Sequence, residues 1–403
     1  MTETTIRSRL TALGSTLVVS AALLASGLPV AGAASADISG VRLIGVHDVP
    51  RGLAVDGMTV GGLSGIDRDP RTGEYLMISD DRSTVGPARY YTADIAVGAD
   101  GIESVDFVSA TELTRADGGA YPPYAEALET PCTAPQPVCN RNGSVDPEEL
   151  RIDPRTGSVW WTTEGAFRPP GLRLDPALRV SVDGRTVREF PLPRDWAFDP
   201  EGERGPRPNI TLEAFAFIDG GARVITALEG PLIQDGTPPT PEAGALTRIT
   251  EHPRWGGVAA QYAYPLSPVF TPPVGSDFSD NGVVAILPTG EDGHYLVMER
   301  GYSDGVGYNV RIYEIDTTGA QDIRGVPALD GREGSPDVEP LAKTLVADLA
   351  DLGVDPLFNV EGMVWGPDLP GGERSLVLVV DDNFSAEERT QVIALGVDGA
   401  AAG

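Results

Sequence analysis

The chain has 403 residues, with 59 acidic side chains against 30 basic ones and a formal charge of −29 at pH 7. Such acidity argues against nucleic acid and anionic membranes as partners, and it permits cation binding. Lys343 is the single lysine, and the three histidines (His47, His252, His294) show no paired metal-ligand spacing.

Residues 1–36 read as a secretory signal. Arg7 and Arg9 form the positive start, Leu10 to Val30 is mostly apolar or small, and Ala31-Gly-Ala33 and Ala34-Ser-Ala36 are small-x-small cleavage candidates. A secreted protein is therefore expected. No later segment has the 18 or so apolar residues of a membrane span. Glycine and proline (49 and 35) are spread evenly, so 37–403 is expected to be one domain. Val41–Ile44 reads as a first strand with Gly45 as its bulge or end, and Gln391–Val397 as its C-terminal partner.

One unit then recurs five times: a polar residue before an apolar run, a Gly- or Pro-containing turn, and a buried strand that ends in an acid. Ser64 leads through Asp69-Pro-Arg-Thr-Gly73 to Tyr75–Ser79 and Asp80-Asp81-Arg82. Glu148 leads through the same DPRTG turn, 153–157, to Val159–Thr163 and Glu164. Glu213 leads to Val224–Leu228 and Glu229, and Asn281 to Tyr295–Met298 and Glu299-Arg300. Glu361 leads to Leu376–Val380 and Asp381-Asp382. The first column is thus Ser64, Glu148, Glu213, Asn281 and Glu361. The second is Asp81, Glu164, Glu229, Glu299, and Asp381 or Asp382. The offset between them, about 16 to 20 residues, suits two paired strands and a turn. Repeated strand pairs with insertions predict an all-β fold, a β-propeller of five to seven blades with six as the expected number. The two columns would then converge at one end of the central channel.

Between the units, 115–147 is a Pro- and Ala-rich insertion holding both cysteines, Cys132 and Cys139, which in an exported chain predicts a disulfide. Asp183-Gly184 between Leu178–Val182 and Arg185–Phe190 predicts a type I′ hairpin. Residues 339–353, with Leu341, Leu345, Leu349 and Leu352 at helical spacing and Gly353 as a stop, predict a short helical insertion. The sequons at Asn142, Asn209 and Asn383 read as turns.

There is no G-x-S-x-G elbow, and the Asp277–Gly282 stretch lacks the acid that would close an EF-hand loop. Chemistry therefore falls to the acid columns. Glu148, Glu164, Glu213, Glu229, Asn281, Glu299, Glu361 and Asp381 are candidate ligands for a divalent metal, Ca²⁺ by their oxygen chemistry. Glu361 or Glu213 would act as base, with Arg82 and Arg300 clamping phosphate oxygens.

GLSGIDRDP…MISDDR, TLEAFAF…ALEG, VMERGY and NVEGMVW…SLVLVVDDNFS resemble the phytase-like domain, the "esterase-like activity of phytase" family, over roughly residues 40–400. The resemblance implies an exported, metal-assisted hydrolase of phosphoesters. Well-studied propeller phytases, which the resemblance brings to mind, are acidic and calcium-dependent, but they use several lysines for phosphate. A calcium-dependent lactonase or carboxylesterase, and a non-catalytic binding propeller, stand as alternatives. The expected partner is a small-molecule or phosphoester substrate, and the chain is expected to act as a monomer.

Overall fold

The computed structural model describes residues 38–331 and 336–399. The expected signal segment, 1–36, lies outside the described residues. Among those described, five four-stranded antiparallel sheets account for nearly all regular structure. The count is five blades, where six were expected. The five sequence units are the five blades, with none left over.

The first blade runs Leu63–Arg68, Tyr75–Ser79, Arg89–Val97 and Ile102–Glu112. The second is Pro147–Ile152, Val159–Thr163, Ala177–Val182 and Arg185–Phe190, and the third Leu212–Ile218, Arg223–Leu228, Ala245–Pro253 and Ala260–Leu266. The fourth is Ser279–Pro288, His294–Ser303, Gly307–Asp316 and Lys343–Asp348. The fifth takes Asn359–Asp368, Arg374–Asp381 and Gln391–Asp398, and is completed by the N-terminal strand Gly40–Asp48. That strand pairs antiparallel with Gln391–Asp398, and its register shifts between Leu43 and Gly45, so the closure and the bulge are as expected. Sharing the last blade between the two ends of the chain closes the ring without leaving an open seam.

The strand sequences follow from where the core lies. The five largest apolar clusters each sit between neighbouring blades, so every sheet is buried on both faces. Strands buried on both faces lose the alternating pattern and become continuous apolar runs. Leu376–Val380 is such a run, with all five residues buried. At the Asp183-Gly184 turn both residues have positive φ (49° and 75°), as a type I′ hairpin demands.

The expected helix at 339–353 is absent. Lys343–Asp348 is instead the outer strand of the fourth blade, paired with Gly307–Asp316. Leu349 is fully buried while Leu345 is 51% exposed, so the leucines share no face. An unpaired edge on Gly307–Asp316 would leave a row of backbone groups without partners, and the segment is extended to satisfy them. The described α-helices are short and lie in the 115–147 insertion, Tyr124–Glu129 and Gln136–Asn142. Cys132 and Cys139 are disulfide-bonded there, with Cα atoms 5.5 Å apart.

The five innermost strands, those that begin at Leu63, Pro147, Leu212, Ser279 and Asn359, surround the axis. They approach closely: a Cβ on Gly65 would lie 2.7 Å from the carbonyl oxygen of Glu148. One side chain pins them together. Arg151, buried on the axis, donates to the carbonyls of Ile66 (2.8 Å), Phe215 (3.1 Å), Met363 (3.1 Å) and Ile286 (3.5 Å), one from each of the other blades. It also pairs with Glu149 at 2.7 Å and lies 3.8 Å from Asp67. Burial pushes the Glu149 carboxyl up to about 8, against the pull of Arg151. This plug closes the channel below the acid columns.

Candidate functional site

Each innermost strand carries a bulge. The register with the second strand skips at Ser64, Glu213, Val284 and Glu361, and over Glu148-Glu149 in the second blade. A bulged residue has no partner across the ladder, so its side chain can be re-aimed. The skipped residues form the true first column: Ser64, Glu148, Glu213, Val284 and Glu361. Pairing also fixes the second column, the residue just past each second strand's partner. It reads Asp80, Glu164, Glu229, Arg300 and Asp381. The backbone confirms this register, with Asp80 N donating to Gly62 O, Glu164 N to Asp146 O, and Glu229 N to Thr211 O at 2.7–3.1 Å.

This alignment shifts three sequence assignments. Asp81 is one residue too far. It is buried against Arg89 at 2.7 Å and accepts from the backbone of Thr84, Val85 and Gly86, while Asp80 lines the cavity. Asn281 is three residues too early, and Glu299 one too early. Neither lines the cavity. Asn281 Nδ2 donates to Glu299 Oε2 at 2.9 Å, and Glu299 is further held by Tyr264, Ser267 and Lys343. The fourth blade thus places a cation, Arg300, where the other blades place acids. A signal for this was present: 64 to 80, 148 to 164, 213 to 229 and 284 to 300 are all sixteen residues apart. The chosen columns had uneven offsets.

Apart from Ser64 and Val284, the column residues line one cavity of about 250 Å³. Glu148, Glu164, Glu213, Glu229, Glu361, Asp381, Arg82 and Arg300 all face it, together with Asp80, Asp280 and Asn359. Asn209 and Asn383 also line it, both at positive φ (60° and 47°), so the turn reading of these sequons holds and the turns border the site. Two groups of carboxylates have oxygens within 4.8 Å of one another: Asp146, Glu148, Glu164, and Glu164, Glu213, Glu229. Glu164 belongs to both.

The arginines approach from two sides. Arg82 Nη2 lies 2.5 Å from Asp146 Oδ2 and 3.8 Å from Glu164, and donates to Asn209 Oδ1 at 2.9 Å. Arg300 lies 3.2 Å from Asp280, 3.4 Å from Glu361 and 3.5 Å from Glu229. Asn359 Nδ2 bridges Glu361 (2.9 Å) and Asp381 (3.0 Å), and Ser64 Oγ donates to Glu148 at 3.0 Å.

Burial and crowding push the acids up. Glu213, Glu148 and Glu164 sit well above the usual carboxylate range because they are buried and face one another and Glu229 or Asp146. Asp80 is raised by burial and then by Asp381 and Glu361, and Asp381 by burial and then by Glu361. Glu229 is pushed up by burial to about 8 despite Arg300, and Asp146 to about 6 despite Arg82. Glu361 is raised by burial, opposed by Arg300 and by hydrogen bonds from Asn359 and Ser64. Such a ring either holds protons or needs a counter-cation. Three buried polar atoms of the ring also lack any partner: Glu164 Oε2, Asn359 Oδ1 and Arg300 Nε. Buried polar groups are normally satisfied, so these three atoms keep hydrogen-bonding capacity beside the cavity.

The family described as "Phytase-like: Esterase-like activity of phytase" matches residues 58–384. Comparison with curated protein sequences gives no match. Among solved structures, the chain is similar to an exo-beta-1,3-galactanase from Phanerochaete chrysosporium, with 10% identity, a TM-score of 0.42, and coverage of 86% of this chain and 63% of that one, under two thirds of its length. It is also similar to a thermostable family-43 glycoside hydrolase (11%, TM-score 0.41, 85% and 92% covered). A third is the subtype N11 neuraminidase-like protein of A/flat-faced bat/Peru/033/2010 (8%, TM-score 0.37, 90% and 96% covered).

Proposed function

The chain belongs to the phytase-like family described as esterase-like activity of phytase, and from that premise we propose that it is an exported hydrolase of ester bonds, phosphoesters first, that works with a divalent cation. The observation that carries this reading is the pairing of a crowded carboxylate ring with two arginines around one cavity that contains unpartnered buried oxygens.

The residues fit a hard cation such as Ca²⁺. Every donor in the two carboxylate groups is an oxygen, and Glu164 Oε2 and Asn359 Oδ1 are buried without a partner. Glu164, Glu213 and Glu229 would hold it, with Asp146 and Glu148 beside them. When bound, it supplies the positive charge the ring lacks and polarises a substrate oxygen.

The chain's own residues would do the rest. Arg300 and Arg82 orient the anionic part of the ester and balance charge that develops on it, without titrating. Arg300 Nε is a donor with no acceptor, which suits that role. Glu361 is the better base of the two candidates, because Arg300 and Asn359 favour its ionised form while Glu213 faces Glu164 and Glu229. Glu361 takes a proton from water as the water oxygen bonds to phosphorus, the bond from phosphorus to the alcohol oxygen breaks, and the departing oxygen takes a proton from solvent to leave as the alcohol. Asn281 and Glu299 have no part in this reading, because they lie off the cavity. The expected leader at 1–36 and the disulfide support export.

A screen of phosphomonoester, phosphodiester, carboxylester and lactone substrates, with calcium and with EDTA, tests the proposal. Turnover of at least one phosphoester that EDTA abolishes is expected. Turnover of lactones alone moves the reading to a lactonase. No turnover of any ester, with a melting temperature that EDTA still lowers, leaves a cation-binding module and refutes the hydrolase.

A further inference from the structure

One wall of the cavity is aromatic, and the chemistry above does not use it. Phe278, Tyr302 and Tyr308 all come from the fourth blade and its approach, and all line the cavity. Phe278 and Tyr302 have ring centroids 6.1 Å apart, and Tyr302 and Tyr308 4.9 Å. Phe278 is 58% exposed. An aromatic ring left in water at the mouth of a polar cavity forgoes the free energy its burial would bring.

The wall offers ring surface rather than donors. Tyr308 gives its hydroxyl proton to Glu388 at 3.0 Å, and Tyr302 gives its own to Asp304 at 3.4 Å. The wall is also tied to the arginine. Asp280 Oδ1 accepts from Arg300 Nη1 and from the backbone N–H of Tyr302, both at 3.2 Å. A ligand held by Arg300 therefore has the aromatic wall beside it. Charge sets a second condition. The cavity lining carries eight carboxylates against two arginines. A bound divalent cation displaces the protons of these raised acids, so a ligand with several negative charges would then meet carboxylates that outnumber the cationic groups.

We propose that the site selects esters of a ring-bearing alcohol that carry one anionic group, with the ring against Phe278 and Tyr302 and the anionic group at Arg300. The identity of the bond that is cut rests on the hydrolase reading above. The ring preference rests on the aromatic wall.

Direct binding tests it without any need for turnover. The probes are phenylphosphonate, glucose 1-phosphate, methylphosphonate and inositol hexakisphosphate, titrated into the mature protein in calcium buffer and followed by calorimetry. Phenylphosphonate or glucose 1-phosphate, which distinguish an aryl from a sugar ring, should bind about 3–10-fold more tightly than methylphosphonate, the range of one aromatic contact. Inositol hexakisphosphate should bind more weakly than the preferred ring monoester. Phe278→Ala, at an exposed position, should erase the ring preference and leave methylphosphonate affinity unchanged. Equal binding of ring and methyl probes, tighter binding of the hexakisphosphate, a preference that survives both Phe278→Ala and Tyr302→Leu, or no binding of any probe would each overturn the inference. Ring preference without turnover of any ester keeps this inference and removes the hydrolase reading. Ester turnover without ring preference does the reverse.

Discussion

Arg300 sits where the other four blades place Asp or Glu, and it is the one second-column residue that carries positive charge. Burial opposes its charge, but Asp280, Glu229 and Glu361 hold the guanidinium firmly protonated. Its effect is most direct on Glu361. Glu361→Gln keeps the shape and the contact with Asn359 but removes the charge and the basicity. Loss of a general base should lower kcat about 10²–10⁴-fold on a confirmed substrate, with little change in melting temperature. Steady-state kinetics beside a thermal melt checks both, and near-wild-type turnover would sink the assignment of Glu361. Glu299 makes the contrasting case. It is buried and paired with Lys343, Tyr264 and Asn281, off the cavity. Lys343→Met leaves its carboxylate without its cation, which for a buried pair costs about 3–5 kcal/mol. Urea unfolding should register that loss, while calcium affinity by calorimetry should stay within about twofold of the parent.

At the scale of elements, the bulge in the innermost strand turns a ladder residue into a site residue in the second, third and fifth blades, while in the first it carries Ser64, which donates to Glu148, and in the fourth the buried Val284. The plug two positions further on holds those strands at one height. Arg151 donates to Ile66, Phe215, Met363 and Ile286, each two residues past a bulge. Arg151→Met would leave four buried carbonyls short of a donor and Glu149 without its cation. Each buried group left unpaired costs about 1–3 kcal/mol, and several such losses together are comparable to the margin of about 5–15 kcal/mol that a folded domain has. We expect this variant to be unfolded or molten at 25 °C, read by loss of near-ultraviolet circular dichroism. A cooperative native-like melt would show that packing between the blades alone closes the ring.

At the scale of the whole molecule, the raised acids link stability to pH and to cations. Carboxyls whose native pKa is raised bind more protons folded than unfolded, so stability falls as pH rises through the shifted range. Here that range runs from the ordinary carboxylate value of about 4 to about 6 for Asp146 and about 8 for Glu229. Metal-free protein should therefore melt lower at pH 8 than at pH 5. A bound cation displaces those protons, so calcium should raise the melting temperature more at pH 8 than at pH 5. Differential scanning fluorimetry in EDTA and in millimolar calcium at the two pH values reads both effects. A melting temperature indifferent to calcium at pH 8 would remove the cation from the ring.

The repeat was legible in the chain because its causes are local. Turn residues such as the two DPRTG segments and continuous apolar strands such as Leu376–Val380 follow from turn geometry and from burial on both faces, so they showed the propeller and the closing N-terminal strand without any tertiary information. Most of the cavity-facing acids were legible for the same reason, since Glu148, Glu164, Glu213, Glu229, Glu361 and Asp381 each stand at the end of such a strand. What the chain could not show was the register, because pairing is a relation between two strands and a slip of one residue turns a side chain to the other face. The bulges settled it: Asp80 and Arg300 line the cavity in place of Asp81 and Glu299, and the fourth blade's first-column position falls on the buried Val284 rather than on Asn281. Two further outcomes were also decided only between elements: the segment Lys343–Asp348, whose leucine spacing suits a helix, is a strand because Gly307–Asp316 offers it an open edge. And Arg151, an ordinary strand residue in the sequence, became the axial plug because five strands converge on it from distant parts of the chain.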